Sequence, residues 1–212
     1  VKLRKQKWAL FVGFLTLLFV VSACSTGQQP NDSQKQPAAN DVSDLNWKVP
    51  DFTYTDQNGK PFGLNDLKGK VWLTDFMFTR CPDICPPMTA NLSKIQQHLK
   101  DEGIEAEIVS FSVDPEHDTP EVLKKFSSNF KVDESHWHFI TGYPLPEIQA
   151  MVKDTFKGNV QHQKGPSEDV PLLVNHPSQF YLIDGEGKVV RFYDGLQPDP
   201  KQIANDIKEV QK

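Results

Sequence analysis

Two cysteines separated by three residues, Cys81-Pro82-Asp83-Ile84-Cys85, are the densest group of soft nucleophiles in this 212-residue chain, whose one other cysteine is Cys24. Thiolates this close can exchange electrons as a dithiol–disulfide couple, or they can offer two soft ligands to one ion. A purely structural disulfide would achieve little, because so short a loop barely constrains the unfolded chain. A proline follows each cysteine and stiffens the loop, and the spacing is one residue wider than the Cys-x-x-Cys of dithiol oxidoreductases. The wider loop can turn both sulfurs toward one ion. Two thiolates plus an imidazole suit copper, whereas a structural zinc site wants four protein ligands and only two sulfurs are on offer here. Only reduced thiols can ligate, so a disulfide between Cys81 and Cys85 would gate such a site. Asp83, inside the loop, is a candidate accessory ligand, although an acidic residue entering a helix is the simpler reading.

The elements that must position this loop alternate between strand and helix patterns, which predicts an α/β fold. Residues 52–55 and a short stretch near Pro61 flank Asn58-Gly59, a strong turn signal, and predict an N-terminal hairpin. Residues 71–79 are apolar almost throughout and predict a central strand leading into the cysteines. Leu92, Ile95 and Leu99 lie at helical spacing after Pro86 and Pro87, which suit a first turn. Cys85 therefore falls near a helix N-terminus, where free amides favour a thiolate. Further strands are expected at 105–113, 137–141, 178–183 and 188–193, and further helices at 120–130, 146–156 and 201–210. Asp118 and Thr119 are expected to cap the helix at 120, Asp114-Pro115 to form a turn, and 157–174 to be irregular. This order fits a thioredoxin-like fold with an N-terminal β-hairpin and an extended loop before the C-terminal β-hairpin.

Six histidines compete to supply the imidazole: His98, His117, His136, His138, His162 and His176. His98 lies on an amphipathic helix and reads as solvated, and His136 and His138 alternate along a strand and read as structural. His176 precedes the strand at 178, and in a thioredoxin-like fold that loop passes the cysteine junction. Geometry alone leaves it evenly matched with an ordinary loop histidine.

At the N-terminus, Lys2, Arg4, Lys5 and Lys7 precede an uncharged run that ends in small residues, the pattern of a secretory signal. The run is shorter than the roughly 20 residues that cross a bilayer core. Val21-Ser22-Ala23-Cys24 resembles the bacterial lipobox, which implies a signal peptide at 1–24 and a lipid on Cys24, anchoring the domain to the cell membrane on its extracytoplasmic side. Residues 25–45, rich in Gln, Asn, Ser and Pro, read as a flexible polar tether spanning roughly 25 Å, and 46–212 as the folded domain. Without the four basic signal residues, 19 basic stand against 28 acidic side chains, about −9 in formal charge, which argues against nucleic acid as a partner.

Three stretches together resemble the Sco/SenC family of copper proteins: Phe78-Thr79-Arg80-Cys81-Pro82-Asp83-Ile84-Cys85-Pro86, then Ser112-Val113-Asp114-Pro115-Glu116-His117-Asp118-Thr119-Pro120, then His176 ahead of Tyr181-Leu182-Ile183-Asp184. The resemblance runs from about Trp47 to the end. It implies a thioredoxin-like fold and one copper ion held by Cys81, Cys85 and His176 in a monomeric domain. It also implies delivery of copper to the binuclear centre of cytochrome c oxidase subunit II, or reduction of that centre's cysteines. A thiol-disulfide oxidoreductase and a redox sensor are the alternatives. Arg80 and Asn175-His176-Pro177 depart from the commoner family residues, and the lost acidic neighbour of His176 predicts a less firmly oriented imidazole.

Overall fold

The computed structural model describes residues 40–212. The expected signal peptide, Cys24 and residues 25–39 of the expected tether lie outside the described residues.

Nine strands and four helices follow one another along the domain. They are β1 (Thr53–Asp56), β2 (Pro61–Gly63), β3 (Trp72–Met77), α1 (Cys85–Asp101), β4 (Glu107–Ser112), α2 (Pro120–Ser127), β5 (Trp137–Thr141), α3 (Leu145–Asp154), β6 (Gln161–Lys164), β7 (Leu172–Asn175), β8 (Gln179–Ile183), β9 (Val189–Asp194) and α4 (Pro200–Val210). Seven strands form one mixed sheet in the order β2-β1-β5-β4-β3-β8-β9. β3, β4 and β5 are parallel, while β8 and β9 form an antiparallel hairpin on the other side of β3. This is the expected thioredoxin-like arrangement, with the expected N-terminal hairpin β1–β2.

β3 lies inside the sheet between β4 and β8, and all six of its residues are buried, as its nearly continuous apolar run requires. Thr74 gives its hydroxyl to the carbonyl of Val109 at 2.6 Å, so its burial is compensated. α1 buries Met88, Leu92, Ile95 and Leu99 along one face. It stops at Gly103, whose φ of +66° suits a residue without Cβ. There the amides of Gly103 and Ile104 bond the carbonyls of Lys100 and Leu99.

Two differences from the sequence reading stand out. Residues 40–45, read as the end of the tether, are fastened to β9. Val42 is buried and donates to the carbonyl of Val190, Asp41 pairs with Arg191 at 2.7 Å, and Asn40 bonds the backbone of Phe192. One apolar residue and one ion pair sufficed to extend the domain into a polar stretch. Second, the segment 157–174 is not wholly irregular, since β6 and β7 pair within it as a separate two-stranded sheet. Gln161-His162-Gln163-Lys164 carries no apolar residue, so it shows no strand periodicity.

Asp75, in the middle of β3, is fully buried. Ser110 donates to one of its oxygens at 2.5 Å, and the other has no hydrogen-bond partner. Burial raises its pKa from 3.8 to about 6, with the Ser110 bond opposing. A carboxyl whose folded pKa is raised binds protons more tightly when folded, so its contribution to stability is lost as pH climbs from about 4 to above 6. Asp75→Asn removes that loss. Urea unfolding of the metal-free reduced protein from pH 4 to pH 8 should show the variant gaining on the parent by about 2–3 kcal/mol. Parallel profiles would contradict this.

Candidate metal centre

The register of the sheet brings the site together. β8 runs antiparallel to β3 with Thr74 opposite Tyr181. Counting outward, the residues that leave β3 face those that enter β8, so Phe78 comes level with Pro177. The Phe78 ring indeed meets the His176 imidazole edge-on, 5.9 Å between centroids. Cys81 follows three residues later, and Cys85 opens α1 with Pro86 and Pro87 in the first turn.

Cys81, Cys85 and His176 each offer one ligand atom, and the three atoms lie within 4.8 Å of one another. Both cysteines are free thiols. His176 Nε2 is 3.3 Å from Cys85 Sγ, and Nδ1 is 2.9 Å from the carbonyl oxygen of Pro177. A carbonyl can only accept, so Nδ1 carries a proton and donates it, which turns the ring so that Nε2 faces the sulfurs. The backbone of Pro177 thus does the orienting that an acidic neighbour was expected to do, and the expectation of a loose imidazole is corrected. Gly158 makes this possible. A Cβ there would lie 2.5 Å from Pro177 Cγ and 3.1 Å from Val152 Cγ1.

The two sulfurs are electrostatically unequal, and not in the sense that position on the helix suggested. The amide of Cys85 at the helix N-terminus donates to Cys81 Sγ at 3.4 Å, so it serves the other sulfur. Cys81 keeps 9% of its surface exposed. Its pKa is driven down, first by the Cys85 thiol and then by His176 and the backbone amides of Asp83 and Cys85. Cys85 is wholly buried, and desolvation, followed by the hydrogen bond and charge of Cys81, drives its pKa up. Cys81 is therefore the readier thiolate and Cys85 the sulfur that holds its proton more tightly.

The loop ahead of Cys81 is braced by two acidic residues. Asp118 accepts from the Thr79 amide at 3.2 Å, the Thr79 hydroxyl at 2.5 Å and the Ser112 hydroxyl at 2.6 Å. It is fully buried, and burial raises its pKa. Only Thr119 caps α2, by accepting from Val122, so the capping role expected of Asp118 gives way to this one. Arg80 swings onto Asp114, Nη2 to Oδ2 at 2.7 Å and Nε to Oδ2 at 2.9 Å, rather than toward Cys81. The turn signal at Asp114 was legible, since the amides of His117 and Asp118 bond its carbonyl, but its partner was not.

Among the described residues no other candidate joins the three. The Asp83 side chain is exposed, and only its backbone amide serves Cys81. His117 is exposed, His136 contacts Glu107 at 3.4 Å, and His138 stacks on Phe62. His98 is half-buried on α1, and His162 bonds the carbonyl of Val113.

Fold and site together define a thioredoxin-like domain with a Cys-x-x-x-Cys loop and a remote histidine aimed at it. The SCO1/SenC family model matches residues 41–212, and the chain belongs to that family. A SCO1/SenC family lipoprotein from Bacillus anthracis str. Ames is 46% identical with a TM-score of 0.73, over 79% of this chain and 97% of that one. BsSco, a member of the Sco family of cytochrome c oxidase assembly proteins with an identified disulfide switch, is 42% identical with a TM-score of 0.71, over 79% and 95%. Bradyrhizobium japonicum ScoI, solved with copper bound, is 30% identical with a TM-score of 0.63, over 77% and 99%. No helix among the described residues is long and apolar enough to cross a membrane.

The contact between Gly158 and Pro177 yields a direct test. Gly158→Ala should force Pro177 outward, cost about 1–3 kcal/mol of stability by overpacking, and weaken the Nδ1–H bond. Denaturation curves and the exchange rate of the His176 ring proton, followed by NMR, report the two effects. An unchanged ring proton would remove Gly158 from the support of the site.

Proposed function

We propose that this chain is a membrane-anchored copper-binding assembly factor that delivers copper to, or matures, the binuclear copper centre of cytochrome c oxidase subunit II. In this reading Cys24 carries the lipid, the tether gives the domain reach, and Cys81, Cys85 and His176 hold one copper ion. The observation that carries the proposal is the fixed orientation of His176. A buried imidazole held by the Pro177 carbonyl with Nε2 3.3 Å from a cysteine sulfur is placed as a ligand, and thiol exchange has no need of it. The donor set fits copper: two sulfurs and one imidazole nitrogen, all soft or borderline. Family membership, the copper-bound relative, the relative from an oxidase assembly family and the lipoprotein relative support the rest.

One observation favours the second reading, a thiol-disulfide reductase for the oxidase copper-site cysteines. The split between a Cys81 whose pKa is lowered and which keeps a little exposure and a fully buried Cys85 whose pKa is raised is the pairing of an attacking and a resolving thiol. In that reaction Cys81 attacks a partner disulfide, Cys85 displaces the partner's second thiol, and the domain ends with a Cys81–Cys85 disulfide.

A single variant separates the two. His176→Ala should lower Cu(II) affinity by about 10-fold or more and abolish the nitrogen coupling of bound copper, and oxidase activity in cells should fall with it. Titration of the reduced protein with Cu(I) and Cu(II), followed by spectroscopy for copper–thiolate bonding, gives the affinities. Oxidase assembly that survives His176→Ala and fails only in Cys81→Ser or Cys85→Ser would favour the reductase. Absence of stoichiometric copper binding by the parent protein would sink the leading reading.

A further inference from the structure

The β6–β7 hairpin stands apart from the main sheet, and its strands present only exposed and half-buried residues. A lone two-stranded hairpin is marginally stable in water, so this one needs a mooring. The segment leading into it is held by Gln149, which donates to the carbonyl of Val160 at 3.0 Å, and by the amide of Gly158, which bonds the carbonyl of Val152. Within the hairpin, Val174 packs against the core. Among the described residues one hydrogen bond ties 161–175 to the rest of the domain, between His162 Nε2 and the carbonyl oxygen of Val113 at 2.6 Å. The carbonyl accepts, so Nε2–H donates.

Both ends of that bond lead to the metal centre. Val113 follows β4 directly and precedes Asp114, the residue that holds Arg80 beside Cys81. His162 pairs with Val174 across the hairpin, and Val174 is two residues before His176. The side-chain alternation of a strand has a period of two, so a slip of one residue in this ladder would turn Val174 away from the core and carry His176 with it. The polar sequence of β6 does nothing to prevent such a slip, since no apolar face defines its register.

Resting on the copper reading above, we propose that His162 is a positioning residue for the metal centre: its bond to Val113 holds the β6–β7 hairpin in the register that delivers His176 to the two sulfurs. His162 does not touch the ion. It joins the hairpin that leads into His176 to the segment from Val113 to Asp118 that braces the cysteine loop.

Two variants of the full chain test this, His162→Leu, which keeps bulk without a donor, and His162→Gln, which keeps a donor. Amide hydrogen exchange on the metal-free protein reads the latch without copper. His162→Leu should speed exchange across 161–176 by at least about tenfold while leaving β3 and β4 at parental rates. Titration with Cu(II) should show about a tenfold weaker affinity and a diminished imidazole nitrogen signal, with both restored toward the parent in His162→Gln. Parental exchange in the hairpin of His162→Leu, parental Cu(II) affinity with an intact nitrogen signal, or a His162→Gln no closer to the parent than His162→Leu would each overturn the proposal. A parent chain that binds no Cu(II) would instead remove the copper reading, and hydrogen exchange would still decide whether His162 latches the hairpin.

Discussion

The antiparallel pairing of β8 with β3 is the constraint on which the site depends. With Thr74 opposite Tyr181, the chain leaving β3 and the chain entering β8 are brought level, and two segments 91 residues apart in sequence place Cys85 and His176 within 3.3 Å. Strand pairing of this kind is specified by which side chains must face the core, and Leu73, Phe76, Phe180 and Leu182 are all fully buried. Core packing and ligand placement are therefore the same requirement. A substitution that shifted this register would lose both together.

Around that fixed frame the polar groups are arranged in shells that each answer one problem of burial. Cys81, Cys85 and His176 face one another. Behind them the Pro177 carbonyl, the Cys85 amide and Asp118 satisfy groups that would otherwise be orphaned in a site closed to solvent. Asp75 is the exception, with an oxygen left without a partner beneath the site. Burying a carboxyl this way costs stability near neutral pH, and its charge acts on both His176 and Cys85. The two chemistries open to this domain, ligation and thiol exchange, use the same asymmetry. A ready thiolate starts either one, and Cys85 completes it by giving up its proton.

How much of this could be seen beforehand follows from where the information lies. The sheet and helices were legible because β3, β4 and α1 carry strong hydrophobic patterns, and the cysteine loop was legible because its chemistry is local. The histidine needed resemblance as well, since no spacing rule connects residue 176 to residue 85. The hairpin escaped because β6 has no apolar face, and Asp118 was taken for a cap because Asp-Thr-Pro is a good capping string whose first residue happens to turn inward. The helix N-terminus was expected to favour a thiolate at Cys85, whose pKa is instead raised. Helix position favours Cys85, but complete burial outweighs a helix terminus, and only packing reveals burial.

The short stretch laid along β9 has a directional consequence. Residues 40–42 run antiparallel to β9, β9 runs antiparallel to β8, and β8 runs antiparallel to β3. β9 therefore points the same way as β3, toward the cysteines, and the incoming chain travels back from that pole. Asn40 sits beside Phe192, and the carbonyl of Gly195, just past the end of β9, accepts from Asn91 of α1 at 3.0 Å. The point where the domain receives its leading polypeptide and the point where it presents its thiols belong to one hemisphere, leaving the turn at Asp184 to Gly187 on the other.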